Sequence, residues 1–472
     1  MRIFFVSFLL AITLQVNAQS EEFRLPSVIS DHAVLQQSAS VKLWGWCPGT
    51  WTVKIVGSWN PSDTVFATPG RDSEWDAIVK TPKAGGPYSI KFFGFQNKQV
   101  REINDIMTGE VWVCSGQSNM QFNAHWGISD AVDAFVKDGN KEIRFFQVPQ
   151  SYDNYPQKDC VGEWVVCNAV TAANFSSIGY LFGRKINEKL NVPVGLIGAY
   201  WGGTAIQPWM PKESFQRDPT LNDIAGRILP KWTPVSQSVM YNAMINPFVK
   251  YKIAGVLWYQ GEANAVDRQG SKETSSDYGK LFASLIKGWR EVFRDNFPFY
   301  FVQIAPWTGY AGMDGALLRE QQDETLSIPG TAMVVVSDLV DDVKDVHPKR
   351  KREVADRLAN IALKEQYGME NLLPYSPRFA SLMIENSSAI VRVTSAGRMS
   401  CKEKVISGFQ IAGADKLFYP AEATIEMNGS IRLSSRIVKK PVAVRYCFTN
   451  VAIPGLFDIN NLPLTSFRTD RW

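Results

Sequence analysis

The segment VWVCSGQSNMQFN, residues 111–123, joins an apolar run to a small polar loop. The run from Val111 to Cys114 has the composition of a buried strand, and the loop that follows is rich in residue types that favour turns. Two interpretations fit this pattern. The loop is an ordinary turn, or the strand ends where it holds Ser118 at the rim of a sheet.

Strand and helix patterns alternate around this segment. Apolar runs of strand length recur through residues 101–370, at 110–114, 143–148, 195–200, 254–259, 299–305 and 332–336. Amphipathic helical patterns lie between them, such as the one in which Leu281, Leu285 and Trp289 fall on one face. The alternation predicts an α/β fold with a doubly wound, mostly parallel sheet. Ligands of such sheets bind at the carboxyl ends of the strands, where Ser118 would lie.

Two β-rich regions flank the α/β stretch. Residues 19–100 contain the strand-like segments SVKLWGW, TWTVKIVG and YSIKFFGF, separated by proline and glycine, which predicts a small sandwich. Residues 371–472 return to β character with SSAIVRVTS, SIRLSSRIV and PVAVRYCFTN. The predicted domains are therefore β (19–100), α/β (101–370) and β (371–472).

The first residues predict export. Arg2 precedes an apolar run from Ile3 to Leu14, and a small-residue end follows at Ala18. This pattern indicates a signal peptide over residues 1–18, cleaved after Ala18, and hence a periplasmic or secreted protein. A membrane span needs roughly 20 apolar residues, and no later stretch supplies them.

The composition gives no sign of a nucleic-acid partner or a bound metal. The net charge is only +4 over 472 residues, and the one dense basic run, Lys349–Arg352, is expected to be a solvated helix start. Among the six cysteines, only Cys160 and Cys167 suggest a local disulfide. No cysteine pair has the C-x-x-C spacing of a zinc ribbon, and no cofactor is expected.

A serine nucleophile needs a base, usually histidine, and the chain has only His32, His125 and His347. His32 lies in the first β region and is expected to be a structural or surface residue. His125 is so near Ser118 in sequence that acting as its base would need a special loop. His347 follows the strand at 332–336 and would lie at the same sheet edge as Ser118. Elimination therefore makes His347 the predicted base.

The helix after His347 is predicted from its end signals. Pro348 suits the first position of a helix, and Gly368 suits its end. This helix would be the last of the α/β region.

Two other strand ends carry candidate hydrogen-bond donors. Gly203 follows the strand at 195–200, and glycine permits a backbone N–H to face a bound oxygen. Gln260 follows the strand at 254–259 and offers a side-chain amide. The predicted oxyanion hole consists of the backbone N–H groups of Ser118 and Gly203 with the Gln260 amide. Nearby aromatic residues are expected either to stack on a sugar ring or to fill the core: Trp201, Trp258 and Tyr259.

Four motifs carry a family resemblance: GQSNM (116–120), WGGT (201–204), WYQGEAN (258–264) and DVHP (345–348). In this order they resemble the sialate O-acetylesterase family of the SGNH/GDSL hydrolase superfamily. The flanking segments VISDHAVLQQ and GFQIAGADKLFYPAEATI are similar to that family's terminal β regions. The resemblance implies a flavodoxin-like SGNH domain that removes acetyl groups from sugar hydroxyls, with an O-acetylated carbohydrate as substrate. It also implies Ser118 as nucleophile and His347 as base, with Gly203 and Gln260 assisting the oxyanion.

The chain departs from the superfamily at the third catalytic position. An acid commonly lies three residues before the histidine, and Lys344 occupies that place here. Asp345 is the nearest acid and is the predicted orienting residue. The alternatives are Asp338, Asp341 or Asp342, or a backbone carbonyl that leaves a Ser–His dyad.

Four residues are predicted to bind substrate: Asn119, Trp201, Tyr259 and Glu262. A structural hydrogen-bonding role is an equal alternative for Glu262. Three other functions stay open: an acetylesterase for xylan or another plant glycan, a glycosidase that pairs Glu262 with an aspartate, and a non-catalytic glycan-binding protein. The sequence does not predict the oligomeric state.

Overall fold

The computed structural model describes residues 23–128, 139–229, 233–266, 274–395 and 397–472. The predicted signal peptide, with its cleavage after Ala18, lies outside these residues. Within the described ranges, no helix is both long and apolar enough to cross a membrane.

Among the described residues, strands dominate both ends of the chain, and the α-helices lie between residues 118 and 365. The strands are β1 (Val34–Gln36), β2 (Ser40–Trp46), β3 (Val53–Gly57), β4 (Thr64–Ala67), β5 (Glu74–Lys80), β6 (Gly85–Phe93), β7 (Gln99–Gly116), β8 (Ile143–Gln147), β9 (Trp164–Val166), β10 (Val194–Tyr200), β11 (Gly255–Tyr259), β12 (Phe299–Val302), β13 (Thr331–Val334), β14 (Arg378–Glu385), β15 (Ser388–Thr394), β16 (Ser400–Cys401), β17 (Phe409–Ala412), β18 (Phe418–Pro420), β19 (Glu422–Ile425), β20 (Ile431–Ser434), β21 (Ala443–Tyr446), β22 (Leu456–Phe457) and β23 (Phe467–Arg468). The α-helices are α1 (Ser118–Gln121), α2 (Ala169–Asn174), α3 (Ser177–Leu190), α4 (Lys212–Arg217), α5 (Thr220–Gly226), α6 (Glu262–Ala265), α7 (Tyr278–Phe293), α8 (Asp314–Glu324) and α9 (Lys351–Glu365). Short 3-10 turns occur at Phe95–Asn97, Ala124–Trp126, Gln207–Trp209, Asn246–Phe248, Ser275–Asp277 and Thr325–Ser327, and a π-helical turn at Tyr241–Ile245.

The middle of the chain forms a central, mostly parallel sheet in the order β13-β12-β11-β7-β10-β8-β9. All neighbours pair in parallel except β9, which runs antiparallel at the edge. The six strands expected from the apolar runs all form. The prediction of an α/β fold with a parallel sheet is therefore confirmed.

Helices cover both faces of this sheet, as the two core clusters show. Val111 and Val113 pack into one core with residues of α7 such as Leu285. Trp112 and Cys114 point the other way and pack with residues of α3 and α9. Alternate side chains of one strand thus enter two different cores, which explains why β7 reads as a continuous apolar run.

Strand β7 also links the central sheet to the N-terminal β region. Its first half pairs antiparallel with β6, and its second half lies between β10 and β11. The predicted boundary at residues 100/101 therefore falls inside one continuous strand. Among the remaining N-terminal pairs, β1–β7 is parallel, whereas β2–β5, β3–β4 and β3–β6 are antiparallel.

The C-terminal region contains two four-stranded antiparallel sheets, β14-β15-β20-β19 and β18-β17-β21-β23. Val391 and Leu433 of one sheet share a core with Ile411 and Val444 of the other. The region buries its own apolar faces in this way.

Three local predictions are wrong. Helix α9 begins at Lys351 rather than Pro348, because residues 346–350 form an irregular turn in which Asp345 Oδ1 accepts the His347 N–H. The basic run is not fully solvated either, since Lys351 is 1% exposed. Cys160 and Cys167 are both free thiols, so the suggested disulfide between them does not form.

Candidate active site

Ser118 and His347 meet at the carboxyl edge of the central sheet. Ser118 is the first residue of α1, directly after β7, and His347 lies in the loop between β13 and α9. His347 Nε2 lies 2.9 Å from Ser118 Oγ, although the two residues are 229 positions apart. Both are half-buried. This distance is within hydrogen-bond reach, as a nucleophile and its general base require.

The surroundings of His347 keep its imidazole neutral. Burial lowers the pKa of His347, the positive charges of Lys351 and Lys349 lower it further, and the negative charge of Asp345 opposes them. The Phe122 ring packs against the imidazole, with centroids 5.2 Å apart. A neutral imidazole can accept a proton from Ser118 Oγ.

Asp345 does not orient the imidazole by a hydrogen bond. Asp345 Oδ1 lies 3.9 Å from His347 Nδ1, which exceeds hydrogen-bond distance. The same oxygen instead accepts the backbone N–H of His347 at 2.8 Å. Because Asp345 lies only two residues before His347, its carboxylate reaches the main chain of His347 rather than the imidazole ring.

Two of the alternative aspartates, Asp338 and Asp342, are engaged elsewhere. Asp338 forms two hydrogen bonds with Arg357, at 2.8 and 2.7 Å. Asp342 Oδ1 accepts the backbone N–H of Lys344 at 2.9 Å. Across the part of the chain that the structure describes, no carboxylate forms a hydrogen bond with His347 Nδ1. The geometry is that of a Ser–His dyad.

Gln260 lies beneath the site rather than in it. Its Nε2 donates to Gln117 Oε1 at 3.2 Å, to the Thr204 carbonyl at 3.1 Å and to Asn264 Oδ1 at 2.9 Å. Its Oε1 accepts from the Tyr278 hydroxyl at 2.9 Å. The donors of this amide are committed to a buried network, and its role in the oxyanion hole stays a prediction.

The Gly202–Gly203 turn lies beside the serine. The Trp201 N–H donates to the Gly116 carbonyl at 3.1 Å, which joins the ends of β10 and β7. A Cβ added to Gly202 would lie 3.3 Å from Ser118 Cβ. Gly203 has a φ of 74°, a conformation that favours glycine. Within the described residues, the Ser118 N–H donates to no backbone acceptor.

Asn119 joins the segment of Ser118 to the segment of His347. Its Nδ2 donates to the Val346 carbonyl at 3.0 Å and to Glu262 Oε1 at 2.5 Å. Its Oδ1 accepts from Lys351 Nζ at 2.6 Å. Asn119 is fully buried and Glu262 nearly so. Both side chains face this internal network, and their contact with substrate stays a prediction.

The network places two ionisable groups out of water. Burial raises the pKa of Glu262, which the Asn119 hydrogen bond and the positive charge of Lys351 oppose. Burial lowers the pKa of Lys351 to about 7, although the negative charge of Glu262 favours the charged amine. Lys351 Nζ lies over the rings of Phe122 and Tyr259, at 5.1 and 5.4 Å from their centroids. The burial of this amine was not predicted, because Lys351 lies within a basic run that is typical of a solvated surface.

The aromatic residues divide between core and rim. Trp258 and Tyr259 are buried in the two cores, and substrate binding by Tyr259 stays a prediction. Trp201 is half-exposed, and its ring lies 6.4 Å from that of Tyr152. Tyr152 is 61% exposed. Sequence reasoning missed Tyr152 because it lies in a loop without a motif.

The other histidines lie elsewhere. His32 Nδ1 lies 2.7 Å from Asp105 Oδ2, and His125 Nε2 lies 2.9 Å from Asn174 Oδ1. Neither contacts Ser118. Among the described residues, no three or more histidine, cysteine, aspartate or glutamate side chains are arranged to hold a metal.

Known proteins resemble the chain at the levels of sequence and structure. A family model described as carbohydrate esterase, sialic acid-specific acetylesterase, matches residues 108–364, which include Ser118 and His347. A sialate O-acetylesterase of Mus musculus is 29% identical over 434 residues, 79% of each chain. That of Homo sapiens is 27% identical over 441 residues, 83% of this chain and 80% of the other. The crystal structure of a carbohydrate acetylesterase from Xanthomonas citri is 31% identical, with a TM-score of 0.85 over 95% of this chain and 100% of that one.

Proposed function

Because the chain belongs to the sialic acid-specific acetylesterase family of carbohydrate esterases, we propose that it hydrolyses acetyl esters on carbohydrate hydroxyls. The observation that carries this proposal is the 2.9 Å contact between Ser118 Oγ and His347 Nε2 at the strand ends. The α/β part of the chain would be a flavodoxin-like SGNH domain, since the proposed nucleophile and base follow strands of one parallel sheet.

The proposed reaction proceeds through an acetyl-serine. Ser118 Oγ attacks the acetyl carbonyl carbon while its proton moves to His347 Nε2. The tetrahedral intermediate collapses, the bond to the sugar oxygen breaks, and His347 returns the proton to that oxygen. Water then attacks the acetyl-serine, giving up a proton to His347, and acetate leaves as Ser118 regains its hydrogen.

The oxyanion would be held by main-chain donors. We assign the N–H of Ser118 as the first donor and the N–H of Gly203 as the second, in the turn that lies against Ser118. Each such donor contributes about 3 kcal/mol to stabilising the transition state. The Gln260 amide would act indirectly by holding the Thr204 carbonyl and so the position of this turn.

The sugar would rest against Trp201 and Tyr152. These rings form a partly exposed aromatic pair next to the nucleophile, whereas other aromatic residues of the strand ends are buried. The names of the mouse and human relatives favour an O-acetylated sialic acid as substrate. The Xanthomonas citri relative, a carbohydrate acetylesterase of higher identity, favours other acetylated glycans as the second candidate.

The glycosidase alternative has less support. Glu262 is 2% exposed, and its carboxylate is paired with Asn119 rather than with an aspartate. A pair of carboxylates that flank a sugar bond needs access to it.

Serine labelling and acetate release test the proposal together. The wild-type protein should release acetate from O-acetylated sialic acid or acetylated xylan and react with a fluorophosphonate. Ser118→Ala should lose labelling, and both Ser118→Ala and His347→Ala should lose about 10³-fold or more in kcat. His125→Ala is the matched control, because the His125 side chain is hydrogen-bonded to Asn174. This variant should retain full activity. Retained hydrolysis in Ser118→Ala would contradict the mechanism, and no hydrolysis of either substrate by the wild type would contradict the function.

A further inference from the structure

The loop that carries His347 has no regular secondary structure and is held from two sides. On the inner side, Asn119 donates to the Val346 carbonyl. On the outer side, the Thr308 N–H donates to the Val343 carbonyl at 2.8 Å, and Trp307 Nε1 donates to the Lys344 carbonyl at 3.1 Å. The position of the imidazole therefore depends on the segment 307–315 as well as on Asn119.

The segment 307–315 is held in turn by one residue of the C-terminal region, Asn450. Its Nδ2 donates to the carbonyls of Tyr310 and Gly312 at 3.1 and 2.9 Å. Its Oδ1 accepts the Gly315 N–H at 3.0 Å, and its carbonyl accepts the Trp307 N–H at 2.9 Å. A single side chain and its own backbone thus span the whole segment.

Asn450 is itself fixed against α8. Arg319 of that helix is 2% exposed, and its guanidinium donates to the carbonyl of Thr449. Nearby, Arg468 forms a two-pronged ion pair with Glu320 at 2.8 and 3.0 Å. The C-terminal region is therefore docked where it touches the segment.

We propose that Asn450 is a positioning residue, which fixes the His347 loop through the segment 307–315 and makes the C-terminal β region part of the catalytic apparatus. The proposal rests on the proposed function in that it takes His347 as the base. Each hydrogen bond between Asn450, the segment 307–315 and the His347 loop ends on a main-chain carbonyl or N–H group. Movement of one segment therefore displaces the next. A displacement of about 1 Å at a reacting group lowers the rate by roughly 10²-fold.

Two substitutions test this role at different points. Asn450→Ala removes the side-chain links to segment 307–315. Trp307→Phe keeps a ring but removes the Nε1 donor to Lys344. Asn460→Ala is the control, since Asn460 belongs to the same region and contacts Asp458 and the Leu373 carbonyl instead.

The measurements are kcat and KM with a small acetyl ester, the thermal midpoint, and the titration of the histidine Cε1–H signals by NMR. Only three histidines need assignment, and His347→Gln identifies the relevant signal. We expect kcat to fall about tenfold or more in Asn450→Ala and several-fold in Trp307→Phe, with KM within about twofold. In both, the depressed pKa of His347 should rise toward its ordinary value as water reaches the ring. Asn460→Ala should match the wild type.

The role is refuted if Trp307→Phe and Asn450→Ala both melt cooperatively and leave kcat and the His347 titration unchanged. If Asn450→Ala fails to fold, Trp307→Phe decides alone. A wild-type protein without esterase activity would contradict the proposed function, and the His347 titration in the variants would still decide the positioning role.

Discussion

Replacing Lys351 with methionine probes the buried cation behind the proposed catalytic pair. Burial lowers the pKa of this amine from an ordinary value near 10.5 to about 7. Between these values the folded protein binds fewer protons at this site than the unfolded chain does. The penalty for burying the charge is therefore fully present below pH 7 and disappears as pH rises toward 10.5.

The size of the effect follows from the same two values. They differ by about 3.5, and each whole pKa difference corresponds to 1.36 kcal/mol, so the full penalty is roughly 5 kcal/mol. Of this, the wild-type protein should regain roughly 2 kcal/mol of unfolding free energy between pH 7 and pH 9. Methionine suits the space because the Phe122 and Tyr259 rings face the Lys351 amine.

The assay is denaturant unfolding of both proteins at pH 6, 7, 8 and 9. The free energy of unfolding of Lys351→Met, relative to that of the wild type, should be highest at pH 6 and 7. This difference should shrink by roughly 2 kcal/mol by pH 9. Removing the positive charge of Lys351 also raises the pKa of Glu262. A carboxyl group with a raised pKa makes the folded protein less stable as pH rises, so this change also reduces the advantage of Lys351→Met at higher pH. Loss of the hydrogen bond to Asn119 lowers the free energy of unfolding of the variant by the same amount at every pH, so it does not change the slope.

Lys349→Met is the matched control, because Lys349 is exposed and lies two residues away. It should change the pH dependence of stability much less than Lys351→Met does, because the charge of Lys349 lowers the pKa of Lys351 less than burial does. Parallel curves for wild type and Lys351→Met between pH 7 and 9 would refute the argument that Lys351 is buried with a depressed pKa.

Three other outcomes follow from the site. The acid limb of kcat/KM should have a pKa below the ordinary histidine value of about 6.5, because burial and nearby cations lower that of His347; a limb above that value would contradict this. Asp345→Asn should reduce kcat/KM by about tenfold or less, far from the 10⁴-fold loss of a true triad acid, since the amide oxygen can still accept the His347 N–H; its acid limb should also move to lower pH because a negative charge is lost. Tyr152→Ala should raise KM for an acetylated sugar several-fold and leave that for p-nitrophenyl acetate unchanged, whereas an equal change for both esters would argue against stacking on Trp201 and Tyr152.

The sequence was most informative where local pattern and chemistry agree. The six apolar runs became the six parallel strands, because residues buried on both faces leave an uninterrupted apolar signature. The meeting of Ser118 and His347 was predictable because parallel strands end at one edge and few histidines compete.

Side-chain direction was not predictable in the same way. Gln260 follows a strand at the correct edge, yet its amide turns inward to Thr204 and Asn264. Lys351 is buried because Asn119 offers an acceptor and Glu262 an opposite charge, and both partners come from distant segments. Such commitments depend on three-dimensional neighbours, which spacing along the chain does not encode.

The continuity of β7 has a practical consequence for anyone who shortens this chain. A fragment that starts at residue 101 would begin two residues into the strand that ends just before Ser118 and would discard its partner β6. The N–H and C=O groups of β7 that pair with β6 would then be unsatisfied, and this exposed strand edge would promote aggregation. Such a truncation would weaken the support of Ser118, so a shorter folded protein is better sought by truncation at other positions.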